Sequence, residues 1–523
     1  MDSSTLLVAL VAAPLVASIA MALIPARAPR QAFEAVHGLS ALAVLVGAVK
    51  VALPVFMGGE VVTAWGPWFR VDALGAIFVL LIGALGFLIA VYSVGLVRQK
   101  YVGGLYGPGQ VKQYYAFFSL FLFTMLLAAT TDNIIIMWAA IEATTLASAL
   151  LVSLKGTRHA LEATWKYIMV CTAGVAFGLF GTLLIYANAA DVMTDAHNAA
   201  FLTPILAEAG KLDPTLMRLA FAFILIGFGT KAELFPMHTW MPDTLSQAPG
   251  SVSALLSGVV LKCAMLIIIR LYMVVVPAAG AHFPQLLMVV MGTCSIVFSS
   301  LALFAQTDIK RKLAYSSCEN AGVILLCLGI GGPLGIAAAL LHSIFHGFTK
   351  SLAFCLTENF EHAFGTRDLT RIRGLVDVAP ASAALAVIGF LALAGFPPFA
   401  LFVSEFLSFV AAFAAGSPWW LVVIVALALT VAISGLTRVV IGSVFGRAPE
   451  GVEGRRESHP LMLAAEIALA ICIAWFSISL LPIAAGVERA CDVVTADSGT
   501  QELHEDPFSR VLFGAQTIDS EVK

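Results

Sequence analysis

Eight ionisable side chains stand inside apolar runs, where a charge costs roughly 2.5–3.5 kcal/mol to insert near a bilayer midplane. Glu142 sits in IIIMWAAIEATTLASALLV, and Lys231 and Glu233 share FAFILIGFGTKAELFP. Lys262 lies in LLSGVVLKCAMLII, His342, His346 and Lys350 lie in AALLHSIFHGFTKSLAF, and Glu405 follows GFPPFALFVS. Acids and bases together near span centres are what a proton path requires, because hydrocarbon offers a proton no other stopping place. His342, His346 and Lys350 recur every four residues and so share one helix face. HxxxH spacing also suits a metal ion, but with no carboxylate nearby the relay is the simpler reading, with packing as the bland one. Lys50 and Arg270 read more simply as side chains that snorkel to an interface, and Glu466 as a hydrogen-bonded packing group.

The elements that must position these groups follow from composition. The chain has 523 residues, 60% hydrophobic and 12% charged, with a mean hydropathy of +0.96. A soluble domain carries about 25% charged residues, so this supply cannot solvate a globule and the expected class is an all-α polytopic membrane protein. The net charge of −3 leaves no basic face for nucleic acid. Eight cysteines are scattered without CxxC or CxxCH, so no iron–sulfur or c-type haem ligand set is expected, and no cofactor in this chain.

Apolar stretches of about 20 residues suit helices crossing a core about 30 Å thick. They fall at 6–24, 36–55, 73–96, 114–130, 134–154, 166–186, 217–236, 252–276, 286–305, 313–330, 334–356, 382–413, 420–445 and 461–482, which predicts about fourteen spans. The first has no basic residue before it and reads as a retained span. Segment 60–72 reads as a short amphipathic or strand-like interfacial piece, 187–216 as the longest hydrophilic loop, and 488–523 as a polar tail. Pro236 interrupts the seventh span, and Pro397-Pro398 interrupt the twelfth. Interrupted helices at corresponding places in two halves point to a transport site. The expected organisation is an N-terminal part (1–113), two five-helix repeats of inverted topology (114–276, helices 4–8; 286–445, helices 9–13), and a last helix with the tail (446–523). Lys and Arg concentrate in alternate loops, among them Lys100, Lys155, Lys310, Arg367 and Arg455, so both termini are expected on the non-cytoplasmic side.

Three stretches resemble a known family. GFGTKAELFPMHTWMPDTLSQAPGSVSALLSGVVLK (228–262) resembles the helix 7–8 signature of the antiporter-like subunits of respiratory complex I, Mrp antiporters and membrane-bound hydrogenases. TDIKRKLAYSSCENAG (307–322) is similar to their helix 9–10 loop, and LLHSIFHGFTKSLAF with GFPPFALFVSEF to their helices 11 and 12. Within that family the wording lies nearest the hydrogenase-4 F branch and next the complex I M branch. The resemblance implies proton translocation through Glu142, Lys231, Lys262, His342, His346 and Glu405; beside these, Glu233, His238 and Lys350 are expected as modulators. Glu233 departs from the family pattern; at i+2 it points away from Lys231 along a regular helix, unless the break brings the two together.

The function so implied is a proton-conducting subunit of a redox-driven complex in the cell inner membrane, without a catalytic centre of its own. Its partners would be other membrane subunits and a peripheral redox module. Alternatives are an Mrp-type cation/proton antiporter subunit, or a subunit energising inorganic-carbon uptake with a soluble zinc protein. A Glu142–Lys231 pair that closes and opens is the expected switch. At an effective dielectric of 20, opposite charges attract by roughly 4 kcal/mol at about 4 Å and about 1.7 kcal/mol at about 10 Å. Moving a proton against about 200 mV requires roughly 4.6 kcal/mol. One pair is therefore insufficient, and several coupled groups are needed.

Overall fold

The structure, a computed structural model, describes residues 2–449, 452 and 456–495; Arg455 and the part of the expected tail at 496–523 lie outside the described residues. Two apolar helices, α1 (Ser3–Leu23) and α2 (Arg30–Gly58), open the chain. Segment 60–72 is then strand-like, as its pattern predicts: β1 (Val62–Ala64) pairs antiparallel with β2 (Phe69–Val71), Thr63 opposite Arg70. Asp72 caps the following α3 (Ala73–Val102) by accepting from Gly75 N–H at 2.8 Å. Next come α4 (Pro108–Thr130), α5 (Ile134–Val152), capped by Asn133, and α6 (Arg158–Val192), capped by Thr157.

The expected hydrophilic loop at 187–216 is not a loop. Helix α6 runs on to Val192, and α7 (Leu202–Glu208) follows, flanked by 3₁₀ turns. Ala199, Leu202, Ile205 and Ala209 are buried. These small and aliphatic residues recur at helical spacing among polar ones, so a short amphipathic helix covers the bundle end where hydropathy alone reads a gap.

The seventh span is broken as its proline predicts. Helix α8 (Pro214–Lys231) stops at Lys231, five residues before Pro236, and the chain resumes through a 3₁₀ turn into α9 (Met241–Gln247). The eighth span carries an unforeseen irregularity. It comprises α10 (Gly250–Leu255), a π-helical turn at Leu256–Val260, and α11 (Leu261–Ala279). Two long helices follow, α12 (His282–Ala305) and α13 (Ile309–Ile330). Most of the stretch 307–322, likened to a loop, thus lies within α13.

Helix α14 (Gly332–Phe364) runs for 33 residues through the centre of the bundle, with His342, His346 and Lys350 all buried. After the single turn α15 (Leu375–Val378), the twelfth span divides into α16 (Pro380–Leu393) and α17 (Ala400–Ala414), broken at the expected prolines. The described chain closes with α18 (Trp419–Val439), α19 (Pro460–Ile478) and α20 (Leu481–Thr495). The last of these corrects the start of the expected tail, since Glu488 to Thr495 are helical and Arg489 donates to Met57 O at 3.0 Å.

Twelve helices among the described residues are long and apolar enough to cross a membrane. Helix α14 is too rich in polar groups to count among them, and α16 and α17 are the short halves of one broken segment. Each broken span needs its freed backbone groups satisfied inside the protein. At the first break, Trp240 Nε1 donates to Thr230 O at 3.0 Å, and Phe235 N donates to Ser295 Oγ at 3.0 Å. At the second, Ala400 N donates to Ser477 Oγ of α19 at 3.0 Å.

Candidate proton path: a buried row of acids, lysines and histidines

Lys231 ends α8, and its side chain is buried. Its Nζ donates to the Tyr167 hydroxyl at 2.7 Å and lies 4.7 Å from the centre of that ring, with the Trp240 ring 5.8 Å away. Tyr167 and Ser148 hydroxyls are 2.8 Å apart. The expected direct Glu142–Lys231 pair is not formed. Glu142 is half-buried on α5 and accepts from Thr172 Oγ1 at 2.7 Å. Helix α6 carries both Tyr167 and Thr172 and stands between the two charges. A hydroxyl and a ring quadrupole stabilise the ammonium where a carboxylate was expected.

Glu233 adopts a φ of +63° within the break. That left-handed residue re-aims the carboxyl: it is buried, Oε2 has no hydrogen-bond partner among the described residues, and it forms no ion pair with Lys231. The cations whose field reaches it are Lys262 and Lys350 before Lys231.

The π turn has a direct consequence for Lys262. An i→i+5 turn leaves carbonyls without their usual helical partner, and Lys262 Nζ takes one of them, Ser257 O, at 2.6 Å. The same Nζ is 2.5 Å from His346 Nδ1. The rings of His346 and His342 are parallel within 10°, with centres 6.1 Å apart, as expected for one helix face. His342 Nε2 is 3.0 Å from Asn320 Oδ1, and its Nδ1 is 3.0 Å from Ser404 Oγ. Asn320 Nδ2 in turn donates to Glu319 Oε2 at 2.5 Å. Lys350 Nζ is buried without a hydrogen-bond partner among the described residues, in the field of Glu319 and Glu233.

Glu405 follows Ser404 and faces a cavity of about 330 Å³ lined by Gly395, Phe396, Phe402, Phe406 and Thr430. Gly395 has a φ of +65°, and a Cβ built there would come within 2.4 Å of Glu405 Oε2. The carboxylate thus folds back over the break that precedes its own helix. Lys231 stands before its break and Glu405 after the other.

Of the expected modulators, His238 sits apart from this row. Its ring packs on Phe298 and Phe235 with centres 4.8 and 5.6 Å away. Tyr167, Glu319 and Asn320 are participants that the sequence did not single out. Glu319 stands in an apolar span beside Asn320, and its charge alone was signal enough. Tyr167 gives no such signal, since a tyrosine in a membrane helix is unremarkable. Lys310, one of the loop cations, is wholly buried; with Lys100 it pairs with Glu358, at 2.8 and 3.1 Å. Arg270 does not snorkel: it is buried and makes two 2.5 Å hydrogen bonds to Asp72. Lys50 is exposed, in keeping with its expected snorkelling.

Fold and site together define a multi-pass helical membrane protein built around a buried row of titratable groups between two broken helices. The chain belongs to the NADH:quinone oxidoreductase/Mrp antiporter membrane family, whose model matches residues 131–431. It is 36% identical over 424 residues to a "Hydrogenase-4 component F homolog" of Methylacidiphilum infernorum (isolate V4), covering 81% of this chain and 86% of that protein. It is 30% identical over 370 residues to "NADH-quinone oxidoreductase subunit N" of Desulforudis audaxviator (strain MP104C), covering 71% of each. In fold it matches a chain of the membrane-bound sulfane sulfur reductase (MBS), an archaeal respiratory membrane complex, with a TM-score of 0.83 and 24% identity over 94% of this chain and 97% of that one.

Proposed function

We propose that this chain is the proton-translocating membrane subunit of a redox-driven respiratory complex of the hydrogenase-4 or NADH–quinone oxidoreductase type. It lies in the cell inner membrane with both termini on the non-cytoplasmic side. Other membrane subunits flank it, and a peripheral redox module supplies the drive. It holds no redox cofactor of its own. The observation that carries this reading is the contact of Lys262 Nζ with His346 Nδ1 at 2.5 Å, in the middle of a row of buried acids and bases. An ammonium and a neutral imidazole nitrogen at that separation pass a proton by breaking one N–H bond and making another, with no movement of heavy atoms.

In this reading Glu142 and Lys231 load the row. Glu233, Lys262, His346, Lys350 and His342 conduct along it, with Glu319 and Asn320 orienting His342. Glu405 then receives the proton at the cavity. The names of the relatives, a hydrogenase-4 component and an NADH-quinone oxidoreductase subunit, support this class. The test is proton flux per turnover of the assembled complex in vesicles, with hydrogen or NADH as electron donor. Glu142→Gln, Lys231→Met and Lys262→Met are each expected to abolish flux while electron transfer partly survives. Full pumping by all three would leave these charges as packing groups. The family name also covers Mrp antiporters. Sodium/proton exchange that needs no electron donor would move the chain to that branch.

A further inference from the structure

Glu466 of α19 lies outside the row described above, yet it is fully buried in a membrane helix. Its Oε2 accepts from Asn359 Nδ2 at 2.8 Å, while Oε1 has no hydrogen-bond partner among the described residues. The same Asn359 amide donates to Ser382 Oγ at 3.0 Å, and Asn359 Oδ1 accepts from Ser458 Oγ at 2.8 Å. Ser382 Oγ donates to Glu457 Oε2 at 2.9 Å, and Glu457 is only half-buried. A chain of hydrogen bonds therefore links Glu457 at the bundle end, between α16 and α14, to a buried carboxylate with one oxygen unused; the Asn359 amide donates to both sides and holds the chain together without passing a proton.

Beyond Glu466 the path has a direction. Asn359, Cys355 and Ser351 recur every four residues and make one stripe along α14. Eight residues of helix span about 12 Å. Ser351 Oγ is the second orphan: it is fully buried and without a hydrogen-bond partner among the described residues. It lies against the π turn, for a Cβ built on Gly258 would come within 2.7 Å of it. That turn also holds Ser257, whose carbonyl binds Lys262 Nζ. The stripe thus ends beside the base in the middle of the row. Two orphaned buried polar atoms at its two ends need partners, and internal water making two to four hydrogen bonds is the usual one.

We propose that Glu457, Ser382 and Glu466 form a second proton entry that feeds Lys262 along the Cys355–Ser351 face of α14, with Asn359 as the residue that positions Glu466. The inference rests on the proton-translocating reading above. A proton from Glu457 is taken by Ser382 Oγ as that hydroxyl gives up its own, and crosses internal water to the unused Glu466 Oε1, converting the carboxylate to the acid; the Asn359 amide, which donates to both sides, carries none. The proton then leaves through water to the Lys262 amine, so that only O–H and N–H bonds change and no electron moves. A glutamine at 466 would keep the Asn359 contact but could not carry a proton, which separates transport from packing.

The experiment is proton flux per turnover of the assembled complex in vesicles, with Lys262→Met as reference. Glu466→Gln is expected to cut flux by about ten-fold or more with the complex assembled, and Glu466→Asp to keep at least about half of it, since a carboxylate is restored. Normal flux in Glu466→Gln beside a dead Lys262→Met overturns this entry and leaves the main row intact. Normal flux in both overturns the proposed function and this entry with it. Should Glu466→Gln not assemble, Glu457→Gln combined with Ser382→Ala decides at the bundle end, where an unchanged flux refutes the path and a reduced one supports it.

Discussion

At the residue scale, the resting partner of Lys231 is a tyrosine hydroxyl, and this changes what the Glu142–Lys231 switch must do. A hydrogen bond to a charged group contributes about 1.5–3 kcal/mol, comparable to the pair rearrangement expected from the charges alone. Tyr167→Phe keeps the ring under the ammonium and removes only the hydroxyl. It is expected to lower proton flux per turnover while leaving assembly and electron transfer unchanged; wild-type flux in that variant would remove Tyr167 from the path. Asp72 illustrates a structural charge instead. Burial raises its carboxyl, but the paired Arg270 guanidinium outweighs burial and holds it below the usual carboxylate range. A depressed carboxylate contributes stability that is present above its unfolded value near 4 and is lost as pH falls through the folded one. Asp72→Asn strands a buried guanidinium and is expected to cost about 3–5 kcal/mol, read as a lower unfolding temperature of the solubilised protein at neutral pH. Its difference from the unsubstituted protein should shrink below about pH 4.

At the scale of elements, the irregular turns matter more than the helices they join. The first break aims Glu233 inward through a left-handed residue, the π turn exposes Ser257 O to Lys262, and the second break lets Glu405 fold over Gly395. Gly395 is required twice, by its φ of +65° and by the 2.4 Å that a Cβ would leave to Glu405 Oε2. Gly395→Ala is therefore expected to displace the carboxylate and reduce flux to the level of Glu405→Gln, with the complex still assembled. Glu405→Lys should retain more activity than Gly395→Ala, because it keeps a titratable group on an undistorted break. Equal flux in Gly395→Ala and the unsubstituted complex would show that the carboxylate works from elsewhere.

Over the whole molecule, cations counted in separate loops converge at one bundle end. Lys100, from the end of α3, and Lys310, from the start of α13, meet on Glu358 of α14; Arg367 bonds Ser246 O and Arg456 donates to Ala363 O. Glu358 also accepts from Gly250 N at 2.9 Å and so ties the start of α10 to the central helix. Glu358→Ala leaves Lys310 buried and unpaired, and is expected to destabilise by about 3–5 kcal/mol. Adding Lys310→Met should recover part of that loss in thermal unfolding of the solubilised protein. A neutral Glu358→Ala would mean that the cluster is solvated and holds nothing together.

The class, the apolar helices, both breaks and most of the buried charges were legible in the local sequence. The physical reason is that insertion into hydrocarbon is scored locally: each 20-residue window carries its own transfer free energy, and a proline or a midspan charge stands out against it. Glu142, Lys231, Lys262, His342, His346, Lys350 and Glu405 were legible on that ground, and Glu319 would have been by the same test. Which groups meet is set by the packing of the helices. Tyr167 reaches Lys231 because α6 packs between α5 and α8, and Arg270 is paired because the cap of α3 lies beside α11. Such contacts depend on how distant segments cross, and no local transfer energy encodes that. The hydroxyls, amides and turn carbonyls that join the charges therefore appeared only once the helices were packed.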